Sequence, residues 1–300
     1  MEGSQIEEPA QPLSNFWLRE SELRFGWKLA AFGGVFLFLT ILLTIPALLA
    51  EVAGTEAWLA VQLLSVAGAS AFCMLAMERA SVLDVGVRWS RSAAPALLVG
   101  LLLGMLMPAV IVAVELAAGL AGISRMHFNT LHILAGGFAQ FTIVSVSEEV
   151  LARGYPFLVL QRRFSATVAV LVTAAVFSLM HLGNPGIQWF ALLNIFLAGV
   201  WLGVARVASG ALWLPIGLHL TWNFTIGPLF GLPVSGIVGQ SVLLTRNSGP
   251  EWITGGMFGP EGGVLASTVL VAGTVLLVLP PLRRWIAPRN DVPQVNEQEG

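Results

Sequence analysis

Long apolar runs constrain the fold of this chain more than any other feature. A helix of about 20 apolar residues matches the hydrocarbon thickness of a bilayer. Because lipid offers the backbone no hydrogen-bond partners, such runs must satisfy their polar groups within helices. Hydrophobic residues make up 56% of the 300 residues and charged residues only 11%, whereas soluble domains carry roughly 25% charged residues. The sequence therefore predicts an all-α fold, a polytopic helical bundle in a membrane.

About eight runs are long and apolar enough to be predicted transmembrane helices. They lie near residues 28–50, 56–77, 94–120, 130–160, 165–183, 187–206, 211–230 and 263–282. Within them, Gly100 and Gly104, and likewise Gly199 and Gly203, have the small-xxx-small spacing that lets helices approach closely. We therefore expect close helix contacts at both pairs.

The regions outside the spans are short and polar. Residues 1–27 are predicted to be a cytoplasmic tail, with an amphipathic segment at 15–27 that forms a helix on the membrane surface. Residues 28–285 form the predicted transmembrane domain, and residues 286–300 a polar tail. The single cysteine, Cys73, excludes an internal disulfide and a CxxC metal or redox site.

The distribution of basic residues predicts the orientation. Of the 15 Lys and Arg residues, 13 fall on one side of the predicted spans, which leaves Arg125 and Arg246 on the other. Basic residues concentrate on the cytoplasmic side of membrane proteins. We therefore predict a multi-pass protein of the cell membrane with both termini in the cytoplasm and the 231–262 loop outside.

Charged residues inside the fourth run are the strongest functional signal. Glu148, Glu149 and Arg153 lie within it, and each charge costs roughly 2.5–3.5 kcal/mol on insertion. Glu149 and Arg153 are four residues apart on one helix face, in the favourable order for an ion pair. Glu148 points about 100° away, so we expect it to lie apart from Arg153 and to be available as a general base.

Three polar groups in later spans complete a candidate site: His181, His219 and Asn223. At about 1.5 Å per residue, Glu148 and both histidines lie roughly 20–27 Å along their helices from the nearest cytoplasmic arginine. They can therefore share one depth. A carboxylate and imidazoles suit the activation of water, and preorganised donors stabilise an oxyanion by about 10²–10³ in rate. Ser147 is adjacent to Glu148 and does not face it, so no serine is clearly paired with a base.

Other polar residues have simpler interpretations. Glu115 is isolated in the third span, and it is compatible with either a structural role or a minor role in lining a cavity. We interpret Asn194 as structural. His127 and His132 flank the start of the fourth span, where an interfacial position is expected.

The motifs together resemble those of a known family. Glu148-Glu149-xxx-Arg153, Phe177-xxx-His181 and His219-xxx-Asn223 follow one another on consecutive predicted helices. In order and spacing they resemble the three motifs of the type II CAAX prenyl endopeptidases, a superfamily that includes bacterial abortive-infection proteins. The resemblance covers about 75 residues.

That resemblance implies an intramembrane glutamate protease. On this analogy Glu148 and His181 activate water, His219 and Asn223 form the oxyanion hole, and Glu149 with Arg153 supports the site. It implies no metal or other cofactor. The expected partners are the lipid bilayer and a peptide or prenylated protein substrate cut near its C terminus, and no nucleic acid.

Two alternatives remain open from the sequence. In a zinc-dependent membrane protease, Glu and His would be ligands and water the fourth group, although the chain lacks an HExxH motif. A non-enzymatic membrane scaffold or proton-coupled transporter would use intramembrane Glu and His differently, for example as a proton relay. No inverted repeat, which many transporters have, is visible.

Overall fold

The structure is a computed structural model that describes residues 18–19, 22–49, 54–126 and 129–287. Its helices are α1 (Phe25–Leu49), α2 (Thr55–Phe72), α3 (Ala93–Ala117), α4 (Thr130–Arg153), α5 (Tyr155–Arg163), α6 (Ala166–Met180), α7 (Trp189–Ser209), α8 (Trp213–Phe224), α9 (Glu251–Thr254), α10 (Val264–Val278) and α11 (Pro280–Ile286). π-Helical turns extend α2 and α8, at Cys73–Met77 and Thr225–Leu229. Short 3₁₀ turns lie at Val82–Val85, Gly256–Phe258 and Pro260–Gly262. The strands are β1 (Leu18–Arg19), β2 (Glu22–Leu23), β3 (Ala121–Met126) and β4 (Leu243–Asn247), paired antiparallel as β1–β2 and β3–β4.

The predicted all-α polytopic bundle is confirmed, but the count of eight spans is not. Among the described residues, 5 helices are long and apolar enough to cross a membrane, and α10 with α11, bent by 73°, brings the number to 6. The five are Phe25–Leu49, Thr55–Met77, Ala93–Ala117, Thr130–Arg163 and Trp189–Ser209. At 15 and 12 residues, α6 and α8 are short for a bilayer. Apolar runs in the sequence include loop and π-turn residues, which is why they overstate helix length.

Glycines place α8 directly against α3. A methyl group on Gly104 would meet the backbone oxygen of Leu218 and the hydroxyl of Thr221. The Thr221 hydroxyl in turn donates to the carbonyl of Leu101 at 2.8 Å. On α7, a methyl group on Gly199 would meet Ala174 of α6, and one on Gly203 would meet Val170. Both predicted close contacts are therefore confirmed: one joins α3 to α8, and the other joins α6 to α7.

Ion pairs define one end of the bundle, which we call the basic end. Glu78, after the first π-turn, contacts Lys28 of α1 at 2.9 Å and Arg162 of α5 at 3.1 Å, and it accepts a hydrogen bond from Tyr155 at 3.0 Å. The opposite end, here called the loop end, carries the antiparallel β3–β4 pair and the 231–262 segment.

The predicted surface helix at 15–27 is wrong where the structure describes it. Residues 18–19 and 22–23 pair as the short strands β1 and β2, and α1 begins at Phe25. Two-residue strands leave no room for a helical turn. Residues 1–17, 288–300 and His127, on which other predictions rest, lie outside the described residues.

Candidate active site

Four of the six predicted site residues line one cavity of about 1240 Å³, and Glu149 and Arg153 are not part of its wall. Glu148 comes from α4, His181 follows α6, and His219 and Asn223 come from α8. Groups from three helical segments that lie far apart in sequence thus share one space because α8 packs between α3, α4 and α7. The exposed lining residues lie in the first turns of α2 and α4, farther along α4 at Gly136, Ala139 and Gln140, at Met180 of α6, and in the segment before β4.

The predicted pairing of Glu149 with Arg153 is confirmed. The Arg153 guanidinium lies 3.1 Å from Glu149 Oε1, and both side chains are fully buried. Arg153 also donates to the carbonyl of Gly199 at 3.1 Å, and its guanidinium carbon lies 4.4 Å from the centre of the Phe177 ring. The arginine therefore ties α4 to α6 and α7 directly beneath the cavity.

Glu149 has a second partner that the sequence analysis did not anticipate. His219 Nδ1 lies 3.0 Å from the same Glu149 Oε1. Since Arg153 already donates to this oxygen, the carboxylate accepts and His219 Nδ1 carries the hydrogen. The contact fixes the orientation of the imidazole, so His219 Nε2 is the nitrogen left for the cavity.

Glu148 lies apart from the arginine, as its position on α4 requires. Its side chain is 22% exposed, and Oε2 lies 3.8 Å from His219 Nε2. That separation exceeds a hydrogen bond. Two neighbouring carboxylates therefore flank one imidazole: Glu149 holds it from below, and Glu148 faces its free nitrogen across the cavity.

His181 is oriented by the backbone of its own helix. Its Nδ1 lies 2.8 Å from the carbonyl of Phe177. A carbonyl can only accept, so Nδ1 is protonated, and the neutral ring presents an unprotonated Nε2. The Phe177 ring lies 4.8 Å from the His181 ring and 6.1 Å from the His219 ring. This phenylalanine thus packs against both imidazoles and the guanidinium of Arg153.

Asn223 and Ser147 differ in their access to the cavity. Asn223 is one turn beyond His219 on α8, buried, and part of the cavity wall. The hydroxyl of Ser147 is buried and has no hydrogen-bond partner among the described residues. Ser147 therefore has no adjacent base that would activate it as a nucleophile.

Glu261, a buried carboxylate of the cavity wall, was not predicted from the sequence. It lies in the Gly259-Pro-Glu-Gly262 stretch, whose glycines and proline indicate only a turn. The buried carboxylate accepts from the indole of Trp222 at 2.8 Å and from the hydroxyl of Ser235 at 2.8 Å, and also from the backbone N–H of Ser235. All three of these groups are hydrogen-bond donors, so the Glu261 carboxylate acts only as an acceptor.

The remaining polar residues occupy varied positions. Asn194 donates to the backbone carbonyls of Glu261 and Gly263, at 2.8 and 2.9 Å, in keeping with a structural role. His132 is an exposed residue of the cavity wall, and Glu115 is fully buried outside the cavity lining. Across the described part of the chain, no group of three or more His, Cys, Asp or Glu residues is placed to hold a metal ion.

Comparisons with known proteins identify the segment that carries these residues. Residues 130–225 match the family described as type II CAAX prenyl endopeptidase Rce1-like. An uncharacterized 24.3 kDa protein of Escherichia coli is 34% identical over 93 residues, which are 30% of this chain and 42% of that relative. The match thus spans less than half of the relative's length. No solved structure matches the chain.

The matched segment begins with α4 and ends just after α8. It contains Glu148, Glu149, Arg153, His181, His219 and Asn223. The described helices around it are those of an integral membrane protein. Residues 130–225 are therefore similar to the Rce1-like type II CAAX prenyl endopeptidases.

Proposed function

We propose that the chain is a membrane-embedded endopeptidase of the glutamate type. It hydrolyses a peptide bond near the C terminus of a membrane-associated substrate, and prenylated proteins are the first class to test. The proposal assigns the protease domain to residues 28–285, around the matched segment. Glu148, His181, His219 and Asn223 are its catalytic residues, and Glu149 and Arg153 support them.

The observation that supports this proposal most strongly is that the adjacent residues Glu148 and Glu149 have different surroundings. Glu149 is committed to Arg153 and His219, at 3.1 and 3.0 Å. Among the described residues Glu148 has no lysine or arginine in contact; it is half-buried on the cavity wall, with Oε2 3.8 Å from His219 Nε2. A general base needs a carboxylate that can reach water and the reacting bond, and of this pair only Glu148 meets that need.

Hydrolysis in this cavity follows from the donors and acceptors around it. Glu148 takes a proton from a water that His181 Nε2 helps to orient, and the water oxygen attacks the carbonyl carbon of the scissile bond. The developing oxyanion accepts hydrogen bonds from the amide of Asn223 and from Nε2 of doubly protonated His219. Glu148 then returns its proton to the amine as the C–N bond breaks, which restores the starting state.

Glu149 and Arg153 act in this scheme by position. The Glu149 carboxylate keeps His219 Nδ1 occupied, so Nε2 faces the reaction. Arg153 supplies the opposite charge that Glu149 needs in a buried site. Neither group contacts the substrate, and we therefore describe both as positioning residues.

The direct test is cleavage of a farnesylated, fluorescence-quenched CAAX peptide by purified protein in detergent. Glu148→Gln keeps the size of the side chain and removes the base, so turnover should fall by about 10²–10⁴-fold with an unchanged melting temperature. Glu251→Gln, an exposed glutamate outside the cavity, is the matched control and should remain active.

Each alternative gives a different result in the same assay. A zinc protease would lose its activity in the presence of a chelator, whereas the proposed mechanism keeps it. A scaffold or transporter would cleave no peptide although the protein is folded. Full activity of Glu148→Gln would contradict the assignment of the base.

A further inference from the structure

We infer that Gln62 and Gln140 form a subsite that binds the main chain of the peptide substrate beside the scissile bond. The inference rests on the proposed function for the class of the substrate, and it adds which part of the polypeptide the cavity wall recognises. The ligand is an extended peptide segment, held through its N–H and C=O groups whatever its side chains are.

Two glutamines interrupt apolar membrane helices on the cavity wall. Gln62 belongs to the candidate span Thr55–Met77 and Gln140 to the candidate span Thr130–Arg163. A carboxamide that enters hydrocarbon gives up its hydrogen bonds to water, which is costly unless another partner replaces them. Polar groups in membrane helices therefore face the bundle interior or a water-filled cavity, and they mark functional positions. Both glutamines are accordingly candidates for contact with a molecule in the cavity.

The two carboxamides line the cavity with their hydrogen-bonding groups unused. Gln62 is half-buried and Gln140 is exposed on the wall, and neither side chain has a hydrogen-bond partner among the described residues. The carboxamide of Asn194, in contrast, donates to two backbone carbonyls and accepts from the Ser267 hydroxyl. Each cavity glutamine thus offers two N–H donors and one carbonyl acceptor to a ligand.

Gln140 is in register with the proposed base on α4. Gln140, Val144 and Glu148 follow one another at intervals of four residues, so they share a helix face, and all three line the cavity. Eight residues separate Gln140 from Glu148, which is about 12 Å along the helix. An extended peptide rises about 3.4 Å per residue. Gln140 therefore lies three to four substrate residues from the scissile bond.

Gln62 reaches the cavity from the neighbouring helix. α2 packs against α4, and the first turns of both helices are part of the cavity wall. Gln62 follows the start of α2 by seven residues and Gln140 follows the start of α4 by ten, distances of about 10 and 15 Å. The two carboxamides therefore lie at similar depths on adjacent walls, where successive peptide groups of one extended chain can bond to both.

The chemistry of this wall matches a peptide main chain better than a charged ligand. Each peptide unit carries one N–H donor and one C=O acceptor, which need new partners when water is removed. A carboxamide supplies both kinds of group without a charge. A phosphate or carboxylate would call for lysine or arginine, and neither is among the described residues that line the cavity. The subsite therefore contributes affinity that is independent of the substrate's side chains.

Binding measurements test the subsite without any need for activity. Each protein carries Glu148→Gln, so that the peptide stays intact. The probe is a farnesylated, fluorescein-labelled peptide that ends in a CAAX sequence, and fluorescence anisotropy in detergent gives its Kd. Gln140→Leu and Gln62→Leu should each raise the Kd about 3–10-fold, as loss of a hydrogen bond predicts. An unchanged Kd in both variants would overturn the inference.

The matched control for these variants is Gln161→Leu. Gln161 lies on α5 and outside the cavity wall, so this substitution makes the same chemical change away from the subsite. The Kd should stay at the value of the Glu148→Gln protein. An equal loss of affinity in Gln161→Leu would show that the effect is not local, and would also overturn the inference.

Modified peptides test whether the partner is the main chain. N-methylation of one peptide group removes its N–H donor and leaves every side chain in place. At the third or fourth residue from the scissile bond, N-methylation should raise the Kd about 3–10-fold when Gln140 is present and have little effect in Gln140→Leu. Equal losses in both proteins at every position would mean that the two changes are independent, and would overturn the main-chain contact.

Cleavage then separates this inference from the proposed function. In protein that retains Glu148, Gln140→Leu should raise the KM of the quenched peptide about 3–10-fold and leave kcat within about twofold, because binding is lost equally in the ground state and the transition state. A fall in kcat at unchanged KM would assign Gln140 to the reacting bond and overturn the subsite. If no sample cleaves the peptide but the binding losses hold, the proposed function fails and the subsite stands.

Discussion

At the scale of single residues, the site depends on the different directions in which two consecutive residues of α4 point. Glu148 and Glu149 are neighbours, yet their side chains are 22% and 0% exposed. A step of about 100° per residue sends one carboxylate to the cavity and the other to Arg153. The same pair of residues thereby supplies a candidate base and the anchor of His219, without a second charged motif.

Removal of the buried arginine should destabilise the protein. Arg153→Ala leaves the fully buried Glu149 with His219 as its remaining partner. Loss of one member of a buried ion pair destabilises by about 3–5 kcal/mol, so we expect a clear fall in the melting temperature in detergent. Arg163→Ala, which removes an exposed arginine, should have little effect. An unchanged melting temperature for Arg153→Ala would contradict the supporting role.

At the scale of helices, close packing sets the position of α8. Gly100 and Gly104 of α3 lie against the backbone of α8, and α8 carries both His219 and Asn223. The distance between two helix axes thus controls how far these side chains project toward Glu148. The glycines at this contact therefore help to position His219 and Asn223, although neither glycine touches the reacting groups.

A single methyl group should separate the two helices. Gly104→Ala places a Cβ against Leu218 and Thr221, and overpacking of this kind destabilises by about 1–3 kcal/mol. We expect a lower melting temperature and a loss of cleavage, because α8 must shift. Gly33→Ala on α1 meets no atom within 4 Å and is the matched control. Equal behaviour of the two variants would show that the contact is not tight.

The turn at Val234–Ile237 should depend on Glu261. Ser235 has a φ of 47° and Gly236 a φ of 84°, and the left-handed conformation is strained for a serine. In Glu261→Gln the amide group would face a donor, so we expect amides 234–237 to exchange hydrogen roughly tenfold faster, as loss of a hydrogen bond predicts. Ser235→Gly should partly rescue that variant, because glycine adopts this conformation freely.

The control for this prediction is Glu251→Gln, which changes an exposed glutamate of the same segment. Hydrogen exchange of the turn should be unchanged in that variant. If Glu261→Gln exchanges as slowly as the unmodified protein, Glu261 does not hold the turn. Because Val234, Ser235 and Ile237 line the cavity, faster exchange should be accompanied by a higher KM for any cleaved peptide.

At the scale of the whole molecule, the two ends of the bundle are built differently. The basic end is held by the Glu78 cluster, which joins α1, the turn after α2, and α5. The loop end is held mainly by hydrogen bonds around Glu261, Ser235 and Asn184. Ion pairs therefore stabilise one end of the bundle, and hydrogen bonds stabilise the other.

The Glu78 cluster should contribute measurably to stability. Glu78→Ala removes ion pairs to Lys28 and Arg162 and the hydrogen bond from Tyr155. Hydrogen bonds to charged groups contribute about 1.5–3 kcal/mol, so the melting temperature should fall. Asp84→Ala removes an exposed pair with Arg88, which is typically worth less than about 1 kcal/mol. A larger fall for Asp84→Ala would contradict this ranking.

The sequence by itself determined the membrane bundle and the pairing of Glu149 with Arg153, and it predicted four of the polar residues that line the cavity, Glu148, His181, His219 and Asn223. These depend on hydropathy and on helical spacing, which are local properties. Only the tertiary structure decided that His219 binds Glu149 and that Glu261 reaches Trp222 and Ser235. Those contacts join residues 26 to 70 positions apart, and no local periodicity specifies which distant helix faces will meet.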